Sequence, residues 1–308
     1  MQSKSENAAS ASGSALTNAA ILLTLTLVTM LYAMTVTIAN VSLPQIKGAL
    51  SATTDEIALI ITFNIIATAV ATPMTGWLST RFGRRNTLVW AVIGFTVSSF
   101  LCGTATSLEQ LVFYRFLLGA CGAPLPPLCQ AIVVDAYPKE KIGQANAIFG
   151  MGVVLGPILA PTLGGYLSET YSWRWVFYMM VPCGLASLIG VLIFIRSHVA
   201  DKRADLDWTG FISLAVAIAA FQFMLDRGER LDWLDNWQIV ACAIAAVTGL
   251  YIFITHSLTS DRPFLNPRLL LKRNYALGLL IAFIFGLLNF TPITLIPALL
   301  QTLRGYPD

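Results

Sequence analysis

Nine long apolar stretches dominate this sequence and constrain its fold more than any other feature. A bilayer core about 30 Å thick requires roughly 20 apolar residues in a helix. Stretches of that length lie at residues 16–38, 55–78, 86–105, 107–133, 142–166, 173–195, 208–225, 237–257 and 274–300. Helices are predicted rather than strands, because a lipid-exposed backbone must form its hydrogen bonds within its own segment. The fold class is therefore all-α integral membrane, with about nine transmembrane helices.

Composition and cysteine usage narrow the class of protein further. Hydrophobic residues make up 56% and charged residues 11% of the 308, and mean hydropathy is +0.72, which excludes an ordinary soluble domain. The net charge of +3 is too small and too dispersed for a nucleic-acid-binding surface. Five cysteines lie within apolar runs without C-x-x-C spacing, so no zinc site or disulfide framework is expected. No nucleotide-binding loop or nucleophile elbow is present, and neither an enzyme nor a cofactor is predicted.

The distribution of lysine and arginine predicts the topology. With a cytoplasmic N-terminus, thirteen of the 19 basic residues fall in cytoplasmic segments, five fall on the opposite side and Arg115 lies within a helix. This asymmetry follows the positive-inside rule. The expected location is therefore the cell membrane, as a multi-pass protein with a cytoplasmic N-terminus. Residues 1–15 are small and polar and are predicted to form a disordered cytoplasmic tail.

A short basic loop, GWLSTRFGRR, joins the second and third predicted helices. Gly83 supplies backbone freedom for a tight turn, and the arginines can bind helix carbonyls, neighbouring carboxylates or lipid phosphates. A plain positive-inside loop is the alternative. The stretch resembles the G-x-L-a-D-r-x-G-r-r signature of the major facilitator superfamily, with Thr80 in place of the acid. The resemblance implies a cytoplasmic gate motif, which comprises Gly76, Arg81, Gly83, Arg84 and Arg85.

Arg115 lies about two turns inside the apolar run of the fourth helix, in LVFYRFLLGACGAP. A charge at that depth costs roughly 2.5 to 3.5 kcal/mol on insertion scales, so it is expected to face the bundle interior or a wet cavity. A snorkelling arginine near the interface is the alternative. The stretch resembles the family's l-x-x-x-R-x-x-q-G motif, which is associated with proton coupling, although Leu118 replaces glutamine. Arg115 and Asp135, at the cytoplasmic end of the same helix, are the candidates for proton coupling.

The fifth helix contains a stripe of small residues with a four-residue repeat. Such stripes allow close helix approach in many membrane bundles, and prolines on the adjoining face are expected to bend the helix. The run GMGVVLGPILAPTLGGYL resembles the antiporter signature G-x-x-x-G-P-x-x-x-P-x-x-G-G of the drug and proton exchange branches. Its matching positions are Gly152, Gly156, Pro157, Pro161, Gly164 and Gly165.

Two further stretches resemble the fourteen-helix drug:proton antiporter branch of the superfamily: TVTIANVSLPQI in the first helix and WRWVFYMMVPCGL in the sixth. In the first, the branch's membrane aspartate falls on Thr35, and none of the sixteen acids lies near the middle of a predicted helix. Proton coupling therefore depends on Asp135, on Arg115 acting through water, or on groups outside this chain. Thr35, Asn40 and Asn64 are candidate cavity-lining residues, with interhelical hydrogen bonding as the alternative role.

The resemblance implies a domain layout. Residues 1–15 form the tail, 16–195 a six-helix transporter half, 196–207 a cytoplasmic linker, 208–257 an inserted helix pair, and 258–308 the incomplete start of a C-terminal half. The chain is thus expected to be an N-terminal portion and inactive or partial alone. An in-frame or frameshifted continuation with about five more apolar runs downstream of the Asp308 codon would favour truncation.

The function that the resemblance implies is multidrug efflux, as proton-driven export of amphipathic or cationic compounds. A metabolite or siderophore exporter of the same architecture is one alternative, and a panel of dyes and metabolites in efflux assays separates the two. A non-transporting membrane partner subunit is the other. Expected partners are a small-molecule substrate, protons and membrane lipid, with a periplasmic adaptor or a separate C-terminal half as a further candidate.

Overall fold

The computed structural model describes residues 2–196, 205–260 and 262–304, without the side chains of residues 2–15, 40, 54 and 289–304. Within these ranges the chain is helical and contains no strand. Three short 3₁₀ helices, Glu229–Leu231, Trp233–Asp235 and Pro267–Leu271, accompany the α-helices. The α-helices are α1 (Gln2–Ala49), α2 (Thr54–Phe82), α3 (Arg84–Thr104), α4 (Leu108–Gly122), α5 (Leu125–Ala136), α6 (Ile142–Thr170), α7 (Arg174–Tyr178), α8 (Met180–Phe194), α9 (Trp208–Arg227), α10 (Trp237–Thr259) and α11 (Arg273–Arg304).

The described residues form eight helical spans that are long and apolar enough to cross a membrane. They coincide with the first eight predicted stretches, with α4 and α5 together forming the fourth span and α7 and α8 the sixth. The ninth predicted stretch lies in α11, whose apolar part with described side chains is Arg273–Leu288. The prediction of an all-helical membrane protein is confirmed.

Two of the spans are interrupted where proline removes backbone donors. The fourth turns at Ala123 and Pro124, between α4 and α5, next to a Pro126–Pro127 pair. The sixth breaks at Met179, and the missing N–H of Pro182 leaves the carbonyl of Tyr178 without its helical donor. The breaks are therefore local responses to sequence within continuous spans.

Residues 2–15 are helical and extend α1, whereas the sequence predicts a disordered tail there. The segment is rich in alanine and contains no proline. Once the apolar part of α1 is formed, each added residue extends an existing helix, and this avoids the cost of nucleation. The disordered cytoplasmic tail stays a prediction.

The chain divides into two compact units, which are described separately. The first comprises residues 1–206 and 214–249, and the second residues 207–213 and 250–308. In the first unit α1 packs against α5, α6 and α8, while α3 packs against α4 and α8. The core between them contains large apolar side chains such as Leu25, Ile38, Leu88, Leu118 and Phe177. The predicted domain layout, with boundaries at residues 196, 208 and 258, stays a prediction.

The second unit is organised around Asp207, just before α9. Its carboxylate accepts the N–H groups of Gly210 (2.9 Å) and Phe264 (3.1 Å) and contacts His256 Nε2 at 2.8 Å. The rings of Phe211 and Phe264 pack edge to face at 5.4 Å. One carboxylate thus ties the start of α9 to the end of α10 and to the loop before Pro267.

Large apolar side chains cover much of the outer surface. Trp90, Ile158, Val247 and Phe283 are among many that are more than half exposed. A soluble monomer rarely exposes contiguous apolar surface on that scale. The exposed side chains are therefore the lipid-facing surface of a multi-pass membrane protein.

Candidate functional site

Arg115 is the most deeply buried charged residue that the structure describes, with 1% of its surface exposed. Its Nη1 donates to the carbonyl of Thr35 in α1 at 3.4 Å, a long bond. The guanidinium carbon lies 5.8 Å from the centre of the Phe177 ring, within cation–π range. Nε is buried and has no hydrogen-bond partner among the described residues. The structure therefore places Arg115 inside the helix bundle and not in a snorkelling position.

Two of the predicted cavity-lining residues, Thr35 and Asn64, form hydrogen bonds with Arg115. Each of these bonds joins a side chain to a backbone carbonyl. Asn64 in α2 donates its side-chain amide to the carbonyl of Arg115 at 2.7 Å, and Thr35 supplies the carbonyl that accepts the guanidinium. One turn further along α4, a Cβ at Gly119 would collide with the carbonyl of Asn64. Helices α2 and α4 therefore meet closely at this level, as interhelical hydrogen bonding in membranes requires.

No carboxylate forms an ion pair with Arg115 among the residues described. A buried charge without a counter-ion is costly in a membrane segment, which makes Arg115 a candidate functional residue. Guanidinium does not release its proton in proteins, so Arg115 cannot itself carry one. It can orient water, attract an anion or stabilise a carboxylate that approaches it.

The gate-motif residues lie at the end of α2, at the turn and at the start of α3. Gly83, the residue between the two helices, has φ of +83°, where a side chain would be strained. Arg84, the first residue of α3, forms an ion pair with Asp135 near the end of α5. Arg85 donates Nη2 to the carbonyl of Leu192 in α8 at 2.8 Å. The turn is thus tied to two other spans of the first unit.

The position where the family signature has an acid is occupied by Thr80, whose hydroxyl donates to the carbonyl of Gly76 at 3.0 Å in the same helix. It therefore makes a local contact. Asp135 provides the carboxylate that pairs with Arg84, and it does so from another span. Gly76 has open space around its Cβ position, so close packing does not explain a glycine there.

The small-residue stripe of the fifth span packs directly on α1. Gly152, Gly156, Ala160 and Gly164 are all buried. A Cβ at Gly156 would lie 2.6 Å from the carbonyl oxygen of Met30, and one at Gly164 would lie 2.7 Å from Ile38 Cγ1. At Gly156 a side chain would meet the backbone of α1, and at Gly152 and Gly164 it would meet α1 side chains.

The contacts of the stripe also give the relative direction of the two helices. From Gly152 to Gly164 along α6, the α1 partners advance from Thr26 to Ile38, so the helices run parallel. Pro157, Pro161 and Gly165 lie outside the buried row, on faces that are partly or fully exposed. Despite its prolines, α6 is one continuous helix from Ile142 to Thr170.

The structure separates the two residues predicted for proton coupling. Arg115 and Asp135 are twenty residues apart in one span, which is about 30 Å of helix. Arg115 lies with Thr35 and Asn64, and Asp135 lies with Arg84. The side chain of Asn40 lies outside the described residues.

Sequence reasoning missed a polar cluster between α2 and the end of α9. The hydroxyl of Thr62, a buried residue, contacts the carboxylate of Asp226. Arg227 donates Nη2 to the carbonyl of Asp55 at 2.8 Å, and Arg230 pairs with the Asp55 carboxylate at 3.0 Å. The available signal was the pair Asp226–Arg227 at the end of an apolar helix. The partner of Asp226 is Thr62, which lies 164 residues away in sequence.

Metal binding receives no support from the described residues, which contain no group of three or more His, Cys, Asp or Glu placed to hold an ion. The Asp207–His256 pair is part of the loop packing in the second unit. The backbone N–H groups of Gly210 and Phe264 donate to the Asp207 carboxylate, and these bonds explain the position of Asp207.

Comparisons with known proteins agree with this geometry. The Major Facilitator Superfamily model matches residues 25–307. Multidrug export protein EmrB of Escherichia coli (strain K12) is 36% identical over 283 residues, which are 92% of this chain and 55% of EmrB. Fatty acid resistance protein FarB of Neisseria gonorrhoeae is 36% identical over 271 residues, 88% of this chain and 54% of FarB. The chain spans about half the length of these relatives.

Among solved structures, the POT family transporter PepTSo has a similar fold. The TM-score is 0.53 at 14% sequence identity, covering 78% of this chain and 53% of PepTSo. The family match extends over nearly all of the helical spans described above. This chain belongs to the Major Facilitator Superfamily.

Proposed function

We propose that this protein works in multidrug efflux, exporting amphipathic or cationic compounds across the bacterial inner membrane. The relatives named for multidrug export and fatty acid resistance support this proposal. The observation that carries it is Arg115, a buried cation without a described counter-ion in the interior of a transporter bundle. Such a residue is costly in lipid, and in this proposal a functional role accounts for its presence.

Each motif has a distinct role in this proposal. Arg115 is the coupling residue, and Thr35 and Asn64 are its neighbours at the substrate pathway. The Arg84–Asp135 ion pair closes the cytoplasmic gate, because it connects α3 to the end of the fourth span where the two meet at one membrane surface. The stripe of α6 holds α1 in place beside the pathway.

Protons are the proposed energy source, and a carboxylate must carry them. Asp135 at the gate is the candidate from the sequence. Asp226 is a second candidate, because it contacts a buried hydroxyl of α2 and lies at the opposite end of the bundle in the predicted topology. A proton route across the membrane needs a titratable group at each end of the helix bundle.

Everted membrane vesicles provide the test. The protein is expressed from its own gene in a host without other efflux pumps. Vesicles from these cells are expected to accumulate a cationic dye when the lumen is made acidic, because protons leaving the lumen drive dye into it, and uptake should stop when this gradient is collapsed. A panel that adds a fatty acid and a siderophore defines the substrate class. Dye uptake equal to that of vesicles without the protein would contradict efflux and favour the partner-subunit alternative.

A further inference from the structure

A cavity of about 570 Å³ opens at one end of the first unit, where α1, α3, α5 and α8 converge. Its volume lies in the range of small-molecule sites. Three guanidiniums and one carboxylate are part of its wall. The polar lining consists of Thr17, Asn18, Arg84, Arg85, Asp135 and Arg196.

The arginines of the cavity retain unused hydrogen-bonding capacity. Arg84 is paired with Asp135, so the carboxylate is neutralised. Arg85 uses Nη2 on the carbonyl of Leu192, but its Nε is buried without a partner among the described residues. Arg196 is exposed and makes no hydrogen bond or ion pair to the part of the chain that the structure describes. Two guanidiniums are therefore available to an anion, and planar guanidinium suits phosphate oxygens.

The rest of the wall is apolar. Ile21, Ile132, Phe194 and Ile195 line the cavity beside the arginines. Arg84 begins one membrane span, and Arg196 follows closely on the end of another, so the cavity lies at a membrane surface. A ligand that fits both parts has an anionic head and a hydrocarbon chain.

We propose that this cavity binds an anionic phospholipid, with the phosphate on Arg85 and Arg196 and an acyl chain along the apolar wall. Basic pockets between transmembrane helices on the cytoplasmic side are suited to such headgroups. The site is separate from Arg115 and does not depend on which compound is exported. Inorganic phosphate shares the headgroup chemistry but lacks the chain.

Native mass spectrometry of the detergent-purified protein tests the proposal with dioleoyl phosphatidylglycerol, dioleoyl phosphatidylcholine and inorganic phosphate as probes. Phosphatidylglycerol is expected to be retained in preference to phosphatidylcholine. Arg196→Gln should weaken its retention about fivefold, the effect of one basic residue near an anionic headgroup. Arg85→Gln should weaken it at least as much. Arg268→Gln, an exposed arginine outside the cavity, is the charge-matched control and should have no effect.

Arg196 is the more informative position, because its exposed side chain makes no described contact that folding would lose. Equal retention of the two lipids, or wild-type retention in both cavity variants, would overturn the proposal. Displacement of phosphatidylglycerol by an equal concentration of inorganic phosphate would show that the head alone is bound, and this would overturn the lipid assignment. Retention against excess phosphate would support it.

Discussion

Burying the charge of Arg115 in a membrane span costs free energy, and the surrounding residues offset little of that cost. Its guanidinium has one long hydrogen bond and one aromatic neighbour, while its backbone carbonyl is held by Asn64. The side chain therefore adds little to the joint between α2 and α4, which depends on main-chain atoms and on Gly119. Function and packing are separable at this residue.

This separation leads to a prediction for Arg115→Ala. The variant should insert and fold, because the Asn64 bond goes to the main chain and removal of the charge lowers the insertion cost by about 2.5 to 3.5 kcal/mol. Dye export in everted vesicles should fall to the background rate. Membrane yield and thermal unfolding in detergent check folding. Undiminished export by the variant would refute the coupling role.

The Arg84–Asp135 pair leads to a second prediction, on exchange of the two charges. The side chains are 38% and 42% exposed, so either single reversal should change unfolding free energy by less than about 1 kcal/mol. Arg84→Asp should nevertheless impair export, and the double variant Arg84→Asp with Asp135→Arg should restore part of it. Export rates and melting temperatures of all four proteins form a double-mutant cycle. Additive losses would argue against a gating pair.

At the scale of elements, the close contact between α6 and α1 depends on glycines, which have no side chain to separate the two helices. We expect Gly156→Ala to destabilise the protein by about 1 to 3 kcal/mol, because the new Cβ would lie 2.6 Å from the Met30 carbonyl. Gly150→Ala, on the same helix with open space at its Cβ position, is the matched control and should be neutral or slightly stabilising. Thermal unfolding in detergent measures both. Equal melting temperatures would contradict the close contact.

The start of α9 provides a pH-dependent prediction. Burial raises the pKa of Asp207, but hydrogen bonds from Gly210 and Phe264 and the contact with His256 outweigh it and hold the pKa below its usual value of 3.8. A lowered folded-state pKa means that the carboxylate stabilises the fold above about pH 4 and that this is lost as pH falls through the folded pKa.

Hydrogen exchange measures this effect at two amides. Protection factors at Gly210 and Phe264 should be high at pH 7 and drop below pH 4 in the wild type. In Asp207→Asn they should be lower at pH 7 and change less with pH. Asp205→Asn, at an exposed neighbouring position, serves as the control and should behave as the wild type. A pH-independent wild type would contradict the assignment.

At the scale of the whole molecule, the predicted topology is open to a direct test. Glu140 is exposed in the loop after α5, and Asp235 is exposed in the loop between α9 and α10. The positive-inside rule places the first in the cytoplasm and the second outside. A membrane-impermeant maleimide should label Asp235→Cys in cells with a permeabilised outer membrane and Glu140→Cys only in everted vesicles. The reverse pattern would invert the topology.

The sequence predicted much of the fold because membrane thickness sets helix length. Eight predicted spans coincide with helical spans to within a few residues. The extension of α1 to Gln2 has no signal in the sequence, since a polar composition says little about a segment attached to a stable helix. The breaks at Pro124 and Met179 were missed, because proline within an apolar run does not show whether a helix bends or stops.

The candidate site was predictable residue by residue but not as an arrangement. Arg115 could be identified because its apolar surroundings make a charge conspicuous. Its contact with Thr35, 80 positions away, and the Arg84–Asp135 pair, 51 positions apart, depend on how the helices pack. The contact of Asp226 with Thr62 had no local signal in α2. Pairings of this kind follow from tertiary structure and not from the pattern of one segment.

The parallel seam of α1 and α6 also bears on motion. The Met30 carbonyl meets Gly156 and the Ile38 side chain meets Gly164, so an axial slip would disturb close contacts at two successive levels. Slips smaller than a full helical turn of 5.4 Å are opposed at both levels. We therefore expect α1 and α6 to move together during any rocking of the bundle.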